Sequence, residues 1–92
     1  MRRHVIVAES LTLAAATARF DLRWRQTGSG RWVDDSGTEI HYVSDAVGLK
    51  MWGPGTIVYL GRGWRRRWSE HTSMMAARRF VVDEVSQNEE RA

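Results

Sequence analysis

The side chains best equipped for recognition chemistry fall in one short run: Arg62, Trp64, Arg65, Arg66, Arg67 and Trp68. Four guanidinium groups and two indoles lie within seven positions. Guanidinium forks match phosphates and carboxylates, and indoles stack on bases or fill apolar pockets. The same residue types dominate protein–protein hot spots. The plain alternative is that Trp64 or Trp68 docks into the core while the arginines form a solvated edge. Arg2, Arg3, Arg23, Arg25 and Arg31 extend such a patch only if the fold brings them alongside.

Other chemistries lack their residues. A Walker-type phosphate loop needs glycines and a Lys-Ser/Thr pair between strand and helix. The connection here is Ala8-Glu9-Ser10, and neither Gly53-Pro54-Gly55 nor Gly61-Arg62-Gly63 completes a dinucleotide fingerprint. His4, His41 and His71 are widely separated and make no ligand pair at helical spacing, so no metal and no cofactor is expected. Glu9, Ser10, Asp34, Asp35 and Asp45 are conceivable catalytic groups, because strand ends carry the sites of α/β enzymes. Helix capping explains Ser10, and turns explain the aspartates, so the chain reads as a non-enzyme.

These residues need a scaffold, and 92 residues allow one domain around one core. With no cysteine there is neither disulfide nor thiolate metal site, which favours a reducing compartment. The basic start MRRHVIVAES has too short an apolar run for a signal peptide, and no segment is long enough to span a membrane. A cytoplasmic location is the expectation. Net charge is +3, with arginine supplying every basic residue but Lys50. That balance permits a nucleic-acid partner without requiring one.

The apolar, β-branched run His4–Ala8 predicts a strand buried on both faces. Ser10 caps an alanine-rich helix whose inner face is Leu11, Ala14, Ala15, Ala18 and Leu22. LRWRQ and RWVDD, parted by Thr27-Gly28-Ser29-Gly30, read as a hairpin or meander in which one member can be irregular, and a strand follows at 38–43. A short helix follows at 45–52, then the apolar strand 56–60. A last helix is expected from Ser69 to about Ser86, with Met74, Ala77, Val81 and Val85 inward. The whole predicts a single α/β domain over 1–88: a three- to five-stranded parallel or mixed sheet under two main helices, with a frayed polar tail at 89–92. Strands 4–8 and 56–60 should be central neighbours, with 38–43 beside one of them.

The layout of HVIVAES, an alanine-rich helix and TEIHYVSDAVGLKMWGPGTIVYLGRGW resembles small accessory proteins of actinobacterial bacteriophages. Those are similar to a cut-down half of a nucleic-acid ATPase or Rossmann-like domain without its phosphate loop. In the larger helicases and terminases a comparable segment approaches an acidic metal-binding strand. Here that strand ends in Leu60-Gly61-Arg62, so the magnesium role does not carry over. The resemblance spans roughly 4–64 and implies a viral protein of the host cytoplasm that binds a host or phage protein without catalysis. Nucleic-acid binding through 62–68 is the alternative, a small enzyme the third reading, and a homodimer is compatible with each.

Overall fold

The computed structural model describes residues 3–85. Six strands form one mixed sheet in the order β2-β3-β4-β1-β5-β6. They are β1 (His4–Val7), β2 (Arg25–Gly28), β3 (Arg31–Val33), β4 (Glu39–Tyr42), β5 (Ile57–Leu60) and β6 (Val81–Glu84). The central strands β4, β1, β5 and β6 run parallel, and β2-β3-β4 is an antiparallel meander. The expected neighbours are all present, since β1 lies between β4 and β5. β1 is central because every residue from Val5 to Ala8 is apolar and fully buried, so helices can cover both its faces.

On one face lies α1 (Leu11–Ala16), which continues as a π-helical turn over Thr17–Asp21. Ser10 caps α1 as its sequence predicts, its Oγ accepting from the Leu13 amide at 3.2 Å. Ala14 and Ala18 bury against Ile6, Trp32 and Ile40. Leu11, expected on this inner face, is 41% exposed. Thr17 is buried instead, because its hydroxyl donates to the Leu13 carbonyl and accepts from the Arg62 amide. The opposite face carries α2 (Ala46–Lys50), α3 (Arg65–Trp68) and α4 (Thr72–Ala77), packed on Val5, Val7, Val58 and Leu60.

Two expectations are corrected. The sheet has six strands, not three to five, and the helix expected from Ser69 to Ser86 stops at Ala77. Arg79 then takes a left-handed φ of 58°, and Val81–Glu84 pairs in parallel with β5 as its outer neighbour. Met74, Ala77, Val81 and Val85 do recur at helical spacing, but Val81-Val82 also suits a strand. β5 offered an unpaired ladder there, and satisfying its backbone outweighs a weak helical stripe. Both members of the hairpin pair are strands, with Gly30 at φ 70° in their tight turn. The polar tail at 89–92 lies outside the described residues.

The β3–β4 turn is tied by Asp34, whose Oδ1 accepts from the Ser36 amide, the Ser36 hydroxyl and the Thr38 amide. These bonds, the Ser36 hydroxyl first, hold its carboxyl below the ordinary aspartate range. A folded-state value lowered in this way contributes stability above the unfolded value and loses it as pH falls through the folded one. Urea midpoints measured between about pH 5 and pH 2 are expected to fall more steeply for the native protein than for Asp34→Asn. Equal slopes would refute this role for the carboxylate.

Candidate functional site

β5 delivers the chain to Gly61-Arg62-Gly63, directly beside the end of β1. The Gly61 amide donates to the Val7 carbonyl at 2.7 Å and the Glu9 amide to the Arg62 carbonyl at 3.3 Å. β1 sends its helix to one face of the sheet and β5 sends α3 to the other. In open α/β sheets a ligand crevice sits where adjacent strands diverge like this. Here the two loops bond to each other across it. Gly63 adopts a φ of 72°, and an added Cβ would stand 2.7 Å from Glu9 Oε2 and 2.9 Å from Glu9 Cβ.

The six residues singled out in the sequence therefore part company. Trp64 and Trp68 are 7% and 1% exposed and belong to the core beneath α3. The expectation that these two indoles are presented to a partner does not hold, because four-residue helical spacing turns both onto the sheet. Trp68 Nε1 donates to the Ala8 carbonyl at 3.1 Å, whereas the buried Trp64 Nε1 has no acceptor among the described residues.

The guanidinium groups face outward, but three of them meet carboxylates from three different segments. Arg62 makes a two-pronged contact with Asp21, both bonds 3.0 Å. Arg65 donates to Glu84 at 3.0 Å and lies over the Trp64 ring. Arg66, 80% exposed, stands 3.7 Å from Glu9. Arg67 is exposed. Glu84, in the acidic C-terminal segment, screens part of this patch through Arg65. Its companions Glu89 and Glu90 lie outside the described residues. The local field is thus partly neutralised, and the cluster ties α3 and the loop before it to the π-helical turn, to the end of β1 and to β6.

Four of the five conceivable catalytic groups, Glu9, Ser10, Asp34 and Asp45, are engaged too. Ser10 caps α1 and Asp45 caps α2, its Oδ1 accepting from the Gly48 amide at 2.7 Å. His4 Nδ1 lies 3.0 Å from the Tyr59 hydroxyl, and burial, with the Asp83 and Asp34 carboxylates, pushes that phenol above its ordinary value. His41 contacts Glu39, and His71 abuts the Trp68 ring. No group of three or more possible metal ligands occurs among the described residues. No helix among them is long and apolar enough to cross a membrane.

One aromatic residue that sequence reasoning passed over is presented outward. Phe20 is 60% exposed, with the Arg19 guanidinium 5.3 Å and the Arg62 guanidinium 5.8 Å from its ring centre. It stands at a groove of about 510 Å3 between the α1 surface and β2–β3, floored by Ala15, Ala16, Trp24 and Trp32. The available signal was its position: an aromatic off the Ala14–Ala18 stripe is not needed by the core. Comparison with protein-family models, with curated proteins and with solved structures found no match for this chain.

Proposed function

We propose that the protein is a non-catalytic interaction module that binds a partner protein at the Phe20 groove. The observation that carries this reading is an exposed aromatic ring flanked by two guanidinium groups at the mouth of an apolar groove. A ring continuous with an apolar groove makes a patch of the kind that marks interaction sites, and aromatic residues and arginine are both enriched at interfaces. Arg19 meets no carboxylate among the described residues, so the chemistry favours a segment that places an apolar side chain in the groove and a carboxylate at Arg19. A small phage accessory factor acting on a host or phage protein would need a surface of this kind.

The test is selection from a randomised peptide library displayed against the intact protein. Enriched peptides are expected to combine Asp or Glu with Leu, Ile or Phe. Phe20→Ala should weaken them by ten-fold or more, since anchors carry about 2 kcal/mol or above. Phe20 is exposed, so that change should leave stability within about 0.5 kcal/mol. Peptides without this signature, or ones that bind Phe20→Ala equally well, would overturn the assignment.

A further inference from the structure

A second surface emerges from the sheet register. Arg31 is paired with His41, and His41 with Val5. Arg25 is paired with Val33, and Val33 with Glu39. Paired and alternate residues share a face, so Arg25, Arg31, Glu39 and His41 all project on the Val5 side of the sheet. That side is covered by α2, α3 and α4 over β1 and β5, but the core cluster there includes no residue of β2 or β3. The meander consequently leaves an open face on which Arg25 and Arg31 are exposed.

Where the helical cover ends, Trp52 stands beside this face. Its ring lies 5.7 Å from that of His41, and the Arg3 guanidinium stands over it, also at 5.7 Å. Together they border a hollow of about 660 Å3 that reaches the Ser36-Gly37-Thr38 turn. Gly28 leaves room for Arg31 to lie across the β2–β3 turn, since a Cβ there would fall 3.0 Å from Arg31 Nη2. Unlike the 62–68 cluster, Arg3, Arg25 and Arg31 meet no carboxylate among the described residues. Glu39, an acidic group on the same face, is engaged by His41.

We infer that this open meander face binds single-stranded nucleic acid, with phosphates on Arg25 and Arg31 and a base stacked on the Arg3–Trp52–His41 cluster. The chemistry is that of strand-binding sheets: cations track the backbone, and π-faces take unpaired bases with little sequence preference. A duplex hides its base faces and cannot use the stacking cluster. The surface is separate from the Phe20 groove, which lies on the other side of the sheet, so neither reading depends on the other.

The test is fluorescence anisotropy of labelled strands of about 12 nucleotides, oligothymidine and oligouridine, against a duplex of equal length at low salt. Either single strand should bind at least ten-fold tighter than the duplex, and the ratio of the two tells whether DNA or RNA is preferred. Two phosphate contacts predict a slope of log K on log salt of about −1.4. Arg25→Glu with Arg31→Glu should cost at least ten-fold and flatten that slope. Arg67→Glu with Arg78→Glu changes net charge equally, on exposed residues elsewhere, and should cost only about two-fold. Trp52→Ala should lose roughly ten-fold. Because Trp52 also packs on the core, the arginine pair alone decides the outcome if that variant melts early. Absence of binding at low salt, a preference for duplex, or equal losses from the two arginine pairs would overturn the inference.

Discussion

Trp68→Ala is expected to remove most of the domain's stability. The indole is 1% exposed and lies among Val5, Val7, Val58, Leu60 and Met75 beneath α3. Removing a buried tryptophan costs about 3–5 kcal/mol, because the cavity relaxes only in part. The Ala8 carbonyl also loses its indole donor in the interior, at about 1 kcal/mol or more. A domain this small has on the order of 5–10 kcal/mol in total. Thermal denaturation followed by circular dichroism should show a melting temperature lower by roughly 15–30 °C, or no cooperative transition. A sharper test compares phenylalanine at the two indole positions. Trp68→Phe gives up a hydrogen bond, whereas Trp64→Phe removes a buried donor that has no acceptor among the described residues. Trp64→Phe should therefore be milder by about 1–2 kcal/mol. If the two cost the same, the bond to Ala8 is not what distinguishes them.

Gly63→Ala is expected to destabilise by about 2–4 kcal/mol, a large effect for one added methyl group. Two causes add. The left-handed φ of 72° costs an L-residue about 1–2 kcal/mol, and the new Cβ would press on Glu9 at 2.7 and 2.9 Å. The carboxylate end of Glu9 can swing aside, but its Cβ is fixed by the backbone after β1. Urea denaturation of Gly63→Asn separates the causes. Asparagine tolerates the left-handed region but fills the same space, so it should still lose about 2 kcal/mol. A mild Gly63→Asn beside a severe Gly63→Ala would mean that conformation alone matters and that the loops are not in close contact.

Both predictions bear on the same piece of architecture. The join between the ends of β1 and β5 is held from below by Trp68, across by paired backbone, and from outside by arginine–carboxylate contacts. Arg62, Arg65 and Arg66 reach Asp21, Glu84 and Glu9, which stand far apart in sequence. A run that looks like an interface in one dimension is largely a clasp in three. Exposed ion pairs of this sort contribute little each, about 0–1 kcal/mol. Their larger consequence is electrostatic, since they leave less free positive charge at 62–68 than the sequence suggests.

Legibility from sequence followed how local the deciding forces were. Ser10 as a cap, β1 buried on both faces, the apolar strand β5, and the break at Gly53-Pro54-Gly55 rest on nearest-neighbour chemistry and could be read directly. The sequence by itself thus determined an α/β domain with β1 and β5 as central neighbours and 38–43 beside one of the two, and the sheet pairing placed it beside β1. It also excluded thiol chemistry outright, there being no cysteine. What only the tertiary structure decided were the contests between local signals and distant partners. Val81–Glu84 became a strand because β5 had a free edge, although its spacing also fitted a helix. Trp64 and Trp68 turned inward because α3 lies over the sheet. Arg25 and Arg31 acquired a common face through the registers of β2 on β3 and β3 on β4, and Trp52 comes beside it through its contact with His41. Burial, pairing and charge cancellation depend on residues tens of positions away, and no local pattern in one chain carries that information.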